Sequence, residues 1–266
     1  IAHVRLRDGL AYVTHGGRIS VIDAVTGDIR QTVDTGDASI AALAVDAAAV
    51  YVVSAGGGWW GGSTLRVYST AADGGLTARG TLAPQDLSYQ RVVSIFAADG
   101  MLTLGVDNGF QGGLMTVNAS NPGTPFVISG VDDQSIAGRS VVLNGTGLAV
   151  AVGSPGGVFG RLALDVLNLS DPGNTGRLQA SYPLSAAPQA VKLAGGMAYV
   201  AGGTGGLVVV NYAGLDANGV PPKVSITAEA ADADATTDGI QVIRSEEHTS
   251  ELQSRQYLVC RLLLEK

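Results

Sequence analysis

Chemistry on this chain would have to come from a small set of side chains. Outside residues 244–266 there are two histidines, His3 and His15. His3 falls in an expected strand and His15 in an expected turn. Neither has a carboxylate or cysteine at ligand spacing, so a structural or solvent-facing role is read for both in preference to zinc binding or general base catalysis. The nucleophile-elbow pattern GxSxG is absent; Ser154 has Val152, not glycine, two residues before it. Residues 56–61 match GxGxxG, but the glycines of a dinucleotide site lead into a helix whose N-terminus faces the pyrophosphate. Here residues 64–68 (TLRVY) read as a strand, and the match is discounted.

Oxygen ligands come next. Asp132 and Asp133 stand together at an expected loop, Asp216 and Asn218 at another, and Asp232, Asp234 and Asp238 follow. Calcium takes six to eight oxygens, and each group lacks the terminal bidentate acid of an EF-hand loop. Solvated loop carboxylates are the default reading. Calcium at Asp132, Asp133, Asp216 and Asn218 is the one cofactor candidate, and no other cofactor is expected.

Recognition has a better candidate in residues 56–63, GGGWWGGS. Two adjacent tryptophans in a glycine loop between strands would present a large aromatic surface, of the kind that takes a sugar ring or a protein partner. The bland reading folds Trp59 and Trp60 back over a sheet edge. Phe110 and Phe159 occupy the corresponding loops of two later units, so an aromatic cluster on one rim is a geometry to test.

What must position these residues is a repeat. Residues 195–211, GGMAYVAGGTGGLVVVN, are two apolar runs around a glycine loop, and runs of β-branched and aromatic residues bounded by glycine read as strands. The pattern recurs at residues 9–23, 50–69, 100–118 and 147–168. Aligned on one slot, the units give Tyr12, Tyr51, Thr103, Val150 and Tyr199, at intervals of 39, 52, 47 and 49 residues. Strand-only units at that period favour propeller blades. A further partly apolar run precedes each anchor (residues 3–6, 41–45, 92–96, 140–143 and 190–193). Another follows in the first four units (29–33, 76–82, 125–129 and 177–182), giving four strands per unit. A polar residue closes every third strand: Asp23, Ser69, Asn118, Asn168 and Asn211. Asp and Asn there can bond the backbone two residues on and shape a turn. The expectation is an all-β, propeller-like array of about five four-stranded blades, forming an incomplete ring. The blades fall at about 1–38, 39–86, 87–133, 134–185 and 186–226.

The residues LMTVNASNPGTP (114–125), VLNLSDP (166–172) and 197–211 resemble the LVIVD-type repeats of bacterial β-propellers, and AYVTHGGRISVIDAVTGDI is similar to the related YVTN-type repeat. The second unit departs most, through Trp59 and Trp60. The resemblance covers about residues 1–225 and concerns architecture, since such repeats serve many functions. Residues 221–242, PPKVSITAEAADADATTDGIQV, resemble the entry to a bacterial Ig-like domain, so 227–243 is expected to be a linker or the start of one. Residues 223–227 (KVSIT) are expected as one more strand, in the place of the fourth of blade five. Residues 244–254, RSEEHTSELQS, match the translation of a common sequencing adapter, and LVCRLLLEK (258–266) resembles its continuation. Residues 244–266 are therefore read as non-native and left out of fold reasoning. The rival reading there is an amphipathic helix. The chain opens on Ile1 and its first methionine is Met101. The native N-terminus and any signal peptide are expected to lie outside the sequence, and while five units could close alone, a fragment of a six- to eight-bladed ring is an equal reading.

Composition narrows the partners. Four Lys/Arg and four Asp/Glu fall in the tail, so the remainder carries 12 basic against 19 acidic residues and the formal charge stays at −7. An acidic chain argues against nucleic acid and anionic membranes. No apolar run of about 18 residues exists, so no membrane-spanning helix is expected. The only cysteine, Cys260, is in the tail. Glycine, 38 of 266 residues, is about twice its usual ~7%, as a fold of many turns requires. The sequons at Asn118, Asn144 and Asn168 matter only in a eukaryotic secretory pathway. The functional expectation is a non-catalytic binding or scaffold module, with a protein or carbohydrate partner at a propeller rim. By resemblance, it belongs to a large bacterial cell-surface or secreted protein involved in adhesion. The alternative is a propeller-scaffold hydrolase or lyase with its site at the central channel.

Overall fold

The computed structural model describes residues 3–54, 62–71, 73–155 and 160–216. Four expectations concern residues outside that set: the Trp59–Trp60 and Phe159 loops, Asn218, the strand at 223–227, and everything from 227 onward.

Among the described residues nineteen strands form five antiparallel sheets, each a simple meander in which sequence order equals spatial order. Blade one is β1 (His3–Arg7), β2 (Leu10–His15), β3 (Arg18–Asp23) and β4 (Ile29–Asp34). Blade two is β5 (Ile40–Val45), β6 (Val50–Ser54), β7 (Thr64–Thr70) and β8 (Leu76–Leu82). Blade three is β9 (Val92–Ala98), β10 (Met101–Val106), β11 (Leu114–Asn118) and β12 (Phe126–Ser129). Blade four is β13 (Ser140–Leu143), β14 (Leu148–Gly153), β15 (Ala163–Asn168) and β16 (Leu178–Pro183). Blade five has β17 (Ala190–Ala194), β18 (Met197–Ala201) and β19 (Leu207–Asn211).

Local chemistry explains why the same sheet forms repeatedly. The first hairpins of blades one, three and five each turn over two residues, Asp8-Gly9, Asp99-Gly100 and Gly195-Gly196, and both residues of each turn have positive φ. That is the type I′ requirement, which Asp-Gly and Gly-Gly meet at low cost. The residues closing the third strands also act as the sequence suggests. The Oδ1 atoms of Asp23, Asn118, Asn168 and Asn211 accept from the amides of Val25, Ser120, Ser170 and Ala213, two residues on, at 2.9–3.0 Å. Ser69 instead accepts from Arg79 Nε at 2.8 Å.

A further repeat feature is visible only in the register. Pairing between the third and fourth strands shifts at Val21/Ile22, Val67/Tyr68, Thr116/Val117 and Val166/Leu167. Each shift sits at the same offset before the closing polar residue. A bulge at one fixed place bends and twists each sheet alike.

The sheets stack face to face in chain order. The first strands lie nearest one another, β1 against β5, β5 against β9, β9 against β13 and β13 against β17, so they line the axis of an arc. Each junction has its own apolar core, because alternate residues of a strand point to opposite faces. On β6, Val50 and Val52 pack toward blade one with Tyr12, Ile19 and Val21. Tyr51 and Val53 on the same strand pack toward blade three with Leu102, Leu104 and Val117. Two further cores fill the junctions of blades three and four, around Ile136 and Leu167, and of blades four and five, around Val150, Val166 and Val200. Among the described residues no closed ring forms. Leu6 on β1 and Leu207 on β19, at the two ends of the arc, are 72% and 67% exposed.

Candidate ligand cleft at the mouth of the inner strands

The register puts the start of a first strand, the end of the second and the start of the third at one sheet edge. In blade three Val92 is opposite Val106, and the Val106 amide donates to Gly113 O at 2.9 Å. The connection into each first strand therefore shares a rim with the loop between strands two and three. Arg91, Arg139 and Gln189 stand immediately before β9, β13 and β17, the same slot in three successive blades. Together with Val93, Asp107 and Gly109 they line a cleft of ≈ 340 Å³.

Backbone contacts hold these positions. The amide of Asp107 donates to Arg91 O at 3.1 Å. Asp107 Oδ1 accepts from Gly109 N at 2.9 Å, and Asn108 Oδ1 accepts from Phe110 N and Gln111 N at 2.9 and 2.7 Å. Blade four enters very close to blade three. A Cβ on Gly105 would come to 2.1 Å from Gly138 O, and one on Gly138 to 2.1 Å from Val106 O. Only hydrogens fit at either place, and Ser94 Oγ donates to Gly138 O at 3.0 Å across the gap. That approach carries Arg139, the next residue, to the blade-three side of the cleft. Its Nη2 donates to Gln189 Oε1 at 2.9 Å. The Arg91 guanidinium forms neither an ion pair nor a side-chain hydrogen bond with the described residues. Two guanidiniums and one carboxylate leave the cleft net positive on a chain of charge −7.

Of the aromatic residues singled out in the sequence, Phe110 is described. It is 65% exposed and follows Gly109, which lines this cleft; Phe110 itself is not one of the lining residues. Trp59, Trp60 and Phe159 lie outside the described residues. The strands flanking their loops, β6 and β7 and then β14 and β15, end on the same rim by register.

The calcium candidates are engaged within the protein. Asp132 Oδ2 accepts from Thr175 N at 2.6 Å, Thr175 Oγ1 at 3.0 Å and Ser129 Oγ at 3.1 Å. These contacts, Thr175 N first, hold its carboxyl below the usual value despite partial desolvation. Asp133 Oδ1 accepts from Ser135 N, and Asp216 Oδ2 from Asn144 Nδ2 and Thr146 Oγ1. Among the described residues no group of three or more His, Cys, Asp or Glu is placed to hold a metal ion. His15 Nε2 lies 3.1 Å from Ser20 Oγ. Burial, then Arg5, pushes the His3 imidazole below its ordinary value.

Sequence reasoning did not find Arg91, Arg139, Gln189 or Asp107. The signal was the repeat itself: a long polar side chain in the slot before the inner strand of three consecutive units.

No family model matches the chain, and no curated protein matches it. Solved structures do. The computationally designed Ika8 protein aligns with a TM-score of 0.54 at 15% identity, over 77% of this chain and 56% of its own. The Dos1 propeller aligns with a TM-score of 0.52 at 13% identity, over 73% and 50%. The fold is a β-propeller arc. The chain spans about half the length of these structures, and at such identities the likeness concerns the propeller architecture alone.

Proposed function

We propose that this propeller arc is a non-catalytic binding or scaffold module that engages protein or carbohydrate at one rim. The observation that carries the proposal is the exposure of Phe110, one residue along the chain from Gly109 of a polar cleft on that rim. An aromatic face next to hydrogen-bonding groups is the usual make-up of a recognition surface. The resemblance to LVIVD- and YVTN-type repeats supports placing the module in a large bacterial cell-surface or secreted protein with a role in adhesion. The resemblance of residues 221–242 to the entry of an Ig-like domain supports the same placement. The test is capture of immobilised glycans and surface-protein fragments by the full chain and by two variants, Phe110→Ala and the double change Trp59→Ala with Trp60→Ala. Binding lost in either variant, with the fold intact, is the expected result. Binding indifferent to all three aromatics removes this rim from consideration.

One observation favours a second reading, a hydrolase or lyase with its site at the channel mouth: the cleft holds two arginines and a carboxylate. Turnover of glycoside or polyuronide substrates that is abolished in Asp107→Asn would establish it.

A further inference from the structure

We propose that the cleft between the entries to blades three, four and five is a binding site for an acidic sugar of the uronate class. This rests on the rim-binding reading above and names the ligand chemistry. A guanidinium presents a planar fork of donors that fits a carboxylate bidentately, and Arg91 has its fork unspent among the described residues. Arg139 spends one nitrogen on Gln189 and retains its other donors. Two guanidiniums on one cleft therefore call for an anion.

Asp107 narrows the class. Its Oδ1 is occupied by the Gly109 amide, and Oδ2 has no hydrogen-bond donor among the described residues. A carboxylate oxygen in an anion site repels a second anionic oxygen and accepts from a hydroxyl. Gln189, with Oε1 bonded to Arg139, can still donate from Nε2 across the cleft or to Ala187 O, 3.3 Å away. Donors for one carboxylate and an acceptor for hydroxyls match a ring that carries both groups. A bare phosphate would meet Asp107 as a penalty. The cleft is open to solvent, and its volume, ≈ 340 Å³, lies at the small end of the range for small-molecule sites and admits a single sugar unit.

The test is titration of the full chain with D-galacturonate and D-glucuronate, followed by heteronuclear NMR shifts and calorimetry, with galactose and inorganic phosphate as comparison probes. Saturable uronate binding that weakens in rising salt is expected, with no saturation by galactose. Arg91→Gln and Arg139→Gln should each weaken uronate at least ~10-fold, and Arg91→Lys should recover only part of the loss. All three changes are at exposed positions, and unchanged thermal midpoints show that folding is intact. Three results would overturn the proposal: no saturable uronate binding to folded protein, uronate binding untouched in both glutamine variants, or phosphate binding as tightly as uronate. Aromatic-dependent capture of a macromolecule without uronate binding sinks the cleft and leaves the rim module standing. Uronate binding without any macromolecular capture does the reverse.

Discussion

Arg161 holds Asp165 with both guanidinium nitrogens, Nη1 on Oδ1 at 2.9 Å and Nη2 on Oδ2 at 3.0 Å, four residues apart at the start of β15. Asp165 is fully buried, and its Oδ2 also accepts the Ala137 amide at 2.8 Å. Arg161 Nη2 reaches Ser135 O at 2.9 Å as well. One ion pair thus ties the loop entering blade four to that blade's third strand, and it fixes the segment from which Arg139 emerges. Removing the acid strands a buried amide and leaves the exposed Arg161 without its partner. Asp165→Ala should cost about 3 kcal/mol in urea unfolding, and Asp165→Asn less, because the amide oxygen still accepts. A loss below ~1 kcal/mol for the alanine variant would mean that the pair is not holding the loop.

Asp46 does the comparable work between blades two and three. Its Oδ1 accepts from Ala48 N and Ala49 N at 2.8 and 3.0 Å, its Oδ2 accepts from Gly100 N across the junction at 2.8 Å, and the Tyr51 hydroxyl lies 3.2 Å from both oxygens. Burial, with the neighbouring carboxylate adding to it, raises the Tyr51 phenol well above its ordinary value, so it stays a donor. Tyr51→Phe removes one donor from an acid that keeps three and should cost about 1 kcal/mol. Asp46→Ala leaves three amides and a phenol without their acceptor and should cost about 3 kcal/mol or more. Equal losses in the two variants would contradict the assignment of Asp46 as the hub.

The strand pattern was legible because it depends on local signals. Alternating apolar runs, Asp-Gly and Gly-Gly turns and a closing Asn each dictate structure within a few residues. The runs at Ser140–Leu143 and Leu76–Leu82 emerge as strands with the same bounds. The bulge before each closing residue was not legible, since a register shift is a relation between two strands and leaves no single residue type behind. The cleft was missed for a related reason. Arg91, Arg139 and Gln189 are about fifty residues apart in sequence, in chemically mixed contexts, and only stacking of the blades converges them. In sequence Asp132 reads by default as a solvated loop carboxylate. Its partner Thr175 lies 43 residues away, a distance over which composition says nothing.

Acid should weaken the Asp132–Thr175 contact at the junction of blades three and four. The Asp132 carboxyl is held below its ordinary 3.8 chiefly by the Thr175 amide, and Asp23 is held at about 2 by Arg30 with the Thr26 and Val25 amides. A carboxylate whose folded value is depressed binds fewer protons folded than unfolded at intermediate pH. Its stabilising contribution is complete above the unfolded value of about 4 and is lost as pH falls toward the folded value. Thermal midpoints should therefore be flat above about pH 5 and fall below about pH 4. Asp132→Asn should flatten part of that fall and lower the midpoint at neutral pH. An unaltered acid slope in that variant would show that Asp132 and Thr175 do not couple to folding.

A close backbone approach between blades three and four is also a geometric support of the cleft. Gly105 on β10 and Gly138 before β13 leave no room for a methyl group, because each would drive a Cβ to 2.1 Å from a backbone carbonyl oxygen. Backbone cannot yield as a flexible side-chain end can, so Gly138→Ala should force the strands apart and cost about 2–3 kcal/mol, more than a solvent-facing Gly→Ala. The same displacement moves Arg139 away from Arg91, so an anion that uses both should lose affinity in a variant that alters no cleft side chain. Gly123→Ala, in an exposed turn whose nearest contact is 3.5 Å away, is the matched control and should leave both quantities unchanged. Stability lost at Gly138 with uronate affinity intact would separate the glycine contact from the placement of Arg139. Loss of both would show that the spacing of two blades sets the geometry of the site.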